Sequence, residues 1–98
     1  MNKQQLINKI EELRQAANGF EGATKAFKLS EISVLNIQIE GMEIHDIAAK
    51  MNSITLPDLA SMDVAIENAA SAIKSQQQRV HAFEQAYSFI KTALGMVI

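Results

Sequence analysis

The chain has 98 residues, 48% apolar and 20% charged, with no cysteine, no tryptophan, one proline and a net charge of −2. This is the composition of one small globular helical domain spanning residues 1–98. It excludes a disulfide framework, a thiolate metal site and a thiol nucleophile. The nine lysines and arginines form no run, so nucleic acid is not an expected partner. No apolar stretch reaches the ~18 residues of a membrane span, and Met1-Asn2-Lys3-Gln4-Gln5 does not read as a cleavable signal. The expected location is the cytoplasm, or outside the cell by a route without such a signal.

The first segment carries Leu6, Ile10, Leu13, Ala17 and Phe20 at 4,3,4,3 spacing, which predicts an amphipathic helix. Asn18-Gly19 supplies its stop, and Phe20 to Thr24 reads as a break.

The middle segment is mixed. Ile32, Leu35, Ile39 and Met42 form one helical stripe, whereas Val34, Ile37, Ile44 and Ile47 lie on another face. Leu35 to Glu40 also alternates as a strand would, but a lone strand has no mate here. The reading is a helix over 30–51, apolar on two faces and internal to a bundle, with a bend at Gly41.

Thr55-Leu56-Pro57-Asp58 then marks a helix start, with Thr55 as cap, Asp58 reaching back to it and proline in the first turn. From there an unbroken heptad follows. Leu59, Ile66, Ile73, Val80, Tyr87 and Leu94 recur every seven residues, with Met62, Ala69, Gln76, Phe83, Ile90 and Val97 three places after each. This pattern predicts one long helix over 56–95, about 60 Å at 1.5 Å per residue. Ala65, Ala72, Ala86 and Ala93 flank the stripe and widen it beyond what one neighbouring helix covers.

The fold expected is therefore all-α. A broken first arm of two helices folds against one long C-terminal helix as a hairpin, packed like a coiled coil into a bundle. The uncovered part of the stripe predicts a homodimer or heterodimer with a protein partner. Its candidate interface is Ile66, Ala72, Ile73, Gln76, Val80, Phe83, Ala86, Tyr87 and Ile90. Gln76, the one polar residue in the seam, would fix register through a partner amide or backbone group.

Chemistry-bearing clusters are few. Glu40, Glu43, His45 and Asp46 are close in sequence, but His45 has no carboxylate three or four residues away, so no helical ligand pair forms. His81 and Glu84 make one such pair without a second. Met42, Met51 and Met62 suit an adaptable binding surface, but core filler is the commoner role of methionine. No phosphate loop or nucleophile motif occurs. The expectation is a non-enzymatic interaction protein with no catalytic, cofactor or metal residues.

Two local patterns bear on family. Ile39-Glu40-Gly41 stands mid-chain where small ESX proteins of type VII secretion, and the helical partners of LXG toxins, often have Trp-x-Gly. Phe83-Glu84-Gln85-Ala86-Tyr87 stands late, where their export signals place an aromatic residue four before an acid. In size and expected shape the chain resembles that group. The resemblance implies a secretion-associated protein exported with, or escorting, a partner through paired helices. Two other classes fit the composition: an axial component of a flagellar or type III secretion apparatus, stacking through residues 86–98, and a cytosolic chaperone or immunity protein.

Overall fold

The structure, a computed structural model, describes residues 2–95. Among them are five helices: α1 Lys3–Asn18, α2 Gly22–Glu40, α3 Ile44–Asn52, α4 Leu56–Ala70 and α5 Gln76–Ala93. No strand occurs among the described residues, so residues 33–40 are helical and the strand alternative is excluded.

The one long C-terminal helix is not formed. The molecule measures 37 × 27 × 20 Å, too short for a helix of that length. The chain leaves α4 at Ser71, turns through Ala72, Ile73 and Lys74, and re-enters a helix at Ser75. Ser75 and Gln78 cause the restart. The Ser75 hydroxyl accepts the Gln78 amide at 3.3 Å, and the Ser75 amide donates to Gln78 Oε1 at 3.2 Å, a reciprocal capping box. The heptad persists across the loop only because two stripes of similar spacing happen to stay in phase. Those stripes face each other in an α4–α5 hairpin. Ala65 on α4 and Ala82 and Ala86 on α5 are buried, which lets the two helices approach closely.

The centre of the bundle is α1. It starts with a second capping box, between Asn2 and Gln5, at 2.8 Å in each direction. Its stripe of Leu6, Ile10, Leu13 and Ala17 is at most 1% exposed and packs on α2, α4 and α5. Phe20 is buried beyond the helix end, and Gly22, at φ +65°, turns the chain into α2 in a conformation that suits glycine. The helix α2 thus begins eight residues earlier than the sequence implies, and it ends at Gly41 with a turn into the separate helix α3. Thr55 caps α4, accepting the Asp58 amide at 3.3 Å.

Polar contacts tie the helices to one another. Lys9 of α1 pairs with Asp63 of α4 at 2.8 Å. Lys50 of α3 donates to the Leu94 carbonyl at 2.7 Å, closing the C-terminus of α5. Lys28 of α2 pairs with Glu31 at 3.1 Å and with Glu84 of α5.

Candidate interaction surface

The nine residues expected to form an intermolecular interface divide into three groups. Ile66, Phe83, Ala86, Tyr87 and Ile90 are buried in the chain's own core, and Val80 packs against its edge. Phe83 is fully buried, edge-on to Phe20 at 5.9 Å and stacked on Tyr87 at 6.2 Å. Ala72 and Ile73 lie in the α4–α5 loop, Ile73 being 95% exposed. Gln76 is half-buried at the first position of α5, where its Oε1 accepts the Glu21 amide at 2.7 Å. It does find the backbone partner expected of it, but within its own chain.

The surplus width of the C-terminal stripe is therefore covered by α1, and the argument for dimerisation through a long helix falls with that helix. The same burial bears on the two local patterns. Phe83 and Tyr87 sit in the core, not on an accessible flank. The apolar residues Ala86, Tyr87, Ile90 and Leu94, expected to stack in an axial assembly, are likewise internal, and residues 96–98 lie outside the described residues. Gly41 of the Ile39-Glu40-Gly41 pattern does stand at a turn between helices.

A different surface is left open. The helix α2 was expected to be internal, yet it packs chiefly on α1 and buries only Ile32, Leu35 and Ile39. Its second apolar face points outward. Ala23, Phe27, Ser30, Val34, Ile37 and Gly41 step by 4,3,4,3,4 and fall in one sector of about 80°, roughly 150° from the buried stripe. All six are exposed, Phe27 and Ile37 by 67% and 69%. An aromatic and a β-branched residue so placed gain nothing from water, and a regular 3,4 stripe is the form that fits the flank of another helix. The signal lies in the sequence: Val34 and Ile37 stand out as a second face, and extending the count back to Ala23 completes the seam. It was masked by the assumption that two apolar faces mean an internal helix.

The polar groups offer no comparable constellation. An open groove of about 460 Å³ between α1, α4 and the start of α5 is walled by Lys9, Glu12, Asp63, Glu67 and Arg79. The Asp63 hydrogen bond holds the Lys9 ammonium above its ordinary value, so Lys9 stands in the wall as the cation of an ion pair. His45 is largely exposed beside Asp46, a solvated helix edge. No group of three histidine, aspartate or glutamate side chains able to hold a metal is present among the described residues. Met51 and Met62 are buried in the core and Met42 packs against it, so the three fill space rather than form an open surface. No helix of the described residues is long and apolar enough to cross a membrane.

A further polar cluster lies beneath α2. Lys28 is shared by Glu31 and Glu84, and Glu31 Oε2 is buried without a hydrogen-bond partner. Burial pushes the Glu31 carboxyl up, and the neighbouring Glu84 charge adds to the shift. Burial opposes the Lys28 charge, but its hydrogen bonds to Glu84 and Glu31 outweigh that and raise it overall. One ammonium thus serves two carboxylates, and Glu31 is the one left short. The cluster orients α2 on α5 and leaves its outer stripe facing solvent.

No protein-family model matches this chain, and neither a curated protein nor a solved structure is similar to it.

Proposed function

We propose that this chain is a non-enzymatic helical interaction protein whose binding element is the outer face of α2, seating one helix of a protein partner. The observation that carries this reading is the exposed 4,3-spaced stripe from Ala23 to Gly41, on a helix otherwise held firmly by α1 and by the Lys28 cluster. A rigid, preformed helix flank binds without ordering a loop, which spares most of the entropic cost of association. The resemblance to small ESX proteins supplies one setting: a secretion-associated protein, cytoplasmic or exported, that meets its partner through paired helices. In that setting the pairing helix is α2, not the C-terminal segment.

Site-specific photocrosslinking tests the reading. A photoreactive residue at Ile37 should yield, in the cells that make the protein, an adduct located by mass spectrometry on an apolar position of a helix. The same residue at Asn52, exposed at the end of α3, should not. Equal yields from the two positions would overturn the assignment of this face.

A further inference from the structure

We infer that the first half of α2, residues 22–31, is held on the bundle by a proton-operated latch: a proton taken up by Glu31 closes the Lys28–Glu84 bridge from α2 to α5. The latch stands on the geometry of these three side chains. Its consequence for binding rests on the reading of α2 as the binding element.

The two halves of α2 are anchored by different forces. Ile32, Leu35 and Ile39, all in the second half, are at most 1% exposed and pack that half into the core. No residue from 22 to 31 is buried, and of its two large apolar side chains only Leu29 packs against the core while Phe27 faces water. The helix start adds little, since Glu21 gives no side-chain cap and the first turn has no acidic residue. Two polar ties remain: the Glu21 amide donating to Gln76 Oε1 at 2.7 Å, and the Lys28 bridge. A segment with so few buried apolar contacts opens locally while the rest of the fold stays intact.

The bridge is short of one positive charge. Lys28 faces two carboxylates, and its side chain, 16% exposed, lies over the Phe83 ring at 5.9 Å. Water therefore does little to screen the surplus negative charge. The charged and titratable groups that face Glu31 are Lys28 on its own helix and Glu84 and Tyr87 on α5; among the described residues α1, on which α2 packs, supplies none. With Glu31 protonated the charges balance. Lys28 then serves Glu84, and the Glu31 hydroxyl donates to the Glu84 carboxylate. Burial first, and the Glu84 charge after it, favour that protonated form.

The docked form prevails in either charge state, and the proton changes how often the first half opens. Ala23, Phe27 and Ser30 lie in that half. Acidification thus presents the whole exposed stripe more steadily, whereas at neutral pH its Val34 and Ile37 end is the constant part.

Amide hydrogen exchange followed by NMR on the purified chain tests the latch, each rate being divided by the intrinsic rate at the same pH. From about pH 7 to about pH 5, the amides of residues 26–31 should gain protection by roughly threefold or more relative to those of residues 35–39. Glu31→Gln, a permanently neutral donor to Glu84, should abolish the gain. Glu84→Gln, which leaves Lys28 to Glu31 alone, should shrink it. Both substitutions keep the size of the side chain, and protection at residues 35–39 reports that each variant is folded. Flat or falling relative protection in the wild type would overturn the inference, as would the full gain in either variant. The measurement uses the chain alone, so its failure leaves the Ile37 crosslink standing. A failed crosslink removes only the consequence for binding, not the latch.

Discussion

The Arg79 guanidinium lies over the Phe20 ring at 5.2 Å while its Nε donates to the Ala69 carbonyl at 2.9 Å. Its Nη2 reaches the Ala16 carbonyl at 3.5 Å. One side chain of α5 therefore caps the Ala69 carbonyl at the C-terminus of α4, adds a second donor to the Ala16 carbonyl of α1, which already accepts the Gly19 amide at 3.1 Å, and stacks on the aromatic residue that follows α1. Neither C-terminus has a basic residue of its own in its last turn, so Arg79 supplies the positive charge from across the bundle.

Arg79→Ala should lower stability by about 2–3 kcal/mol, combining lost charge-assisted hydrogen bonds with a lost cation–π contact at a half-buried site. Arg79→Lys should recover little, because a point charge cannot bond two carbonyls and stack on a ring together. Urea denaturation decides it. A loss below about 0.5 kcal/mol for the alanine variant, the level of an ordinary surface change, would mean that the carbonyls are satisfied by water instead.

Phe83→Ala should cost ~3–5 kcal/mol, because the ring is fully enclosed between Phe20 and Tyr87. A midpoint near wild type would return Phe83 to the accessible flank that an export signal needs.

Ala72→Glu and Ala86→Glu should separate sharply. Ala72 is exposed in the α4–α5 loop, and its variant should stay within ±0.5 kcal/mol of wild type. Ala86 is fully buried, so its variant places a carboxylate in the core and should cost several kcal/mol or prevent folding. Equal losses would point back to a continuous helix through residues 71–75.

Gln76→Leu reverses an expectation drawn from the heptad. A lone amide in an apolar seam predicts that leucine stabilises. With Oε1 accepting the Glu21 amide, the replacement should cost about 0.5–1 kcal/mol, a small value because water can reach that exposed amide. A raised melting temperature would count against the contact.

The contrast between Gln76 and Leu6 indicates what the sequence makes readable. The α1 stripe, the Thr55 cap, the break before α4 and the all-α class follow from local periodicity and capping, and the structure has all of them. The long C-terminal helix did not form because period-counting is blind to a loop that preserves phase; the decisive signal was Ser75-x-x-Gln78, a capping box inside an otherwise regular heptad. Most of the interface residues expected on that helix are core, with Ala72 and Ile73 in a loop, since which helix covers a stripe depends on tertiary packing. The α2 face was misassigned for the opposite reason: its two stripes were visible, but not that α1 would cover only one of them.

Glu31 gives the fold a pH dependence whose sign can be worked out. The groups facing it are Lys28 on its own helix and Glu84 and Tyr87 on α5, and burial holds its carboxyl above the ordinary value of 4.5. A carboxyl that holds its proton more tightly folded than unfolded adds most stability below the unfolded value, and that contribution is lost as pH rises through the folded value. The melting temperature of wild type relative to Glu31→Gln should therefore rise as pH falls from neutral toward 4.5. The difference should be smallest for wild type at neutral pH, where Glu31 is ionised, short of a partner and competing with Glu84 for Lys28. A difference that stays flat, or that favours wild type more strongly at neutral pH, would mean that Lys28 satisfies Glu31 fully and that Oε2 is not an unpaired acceptor.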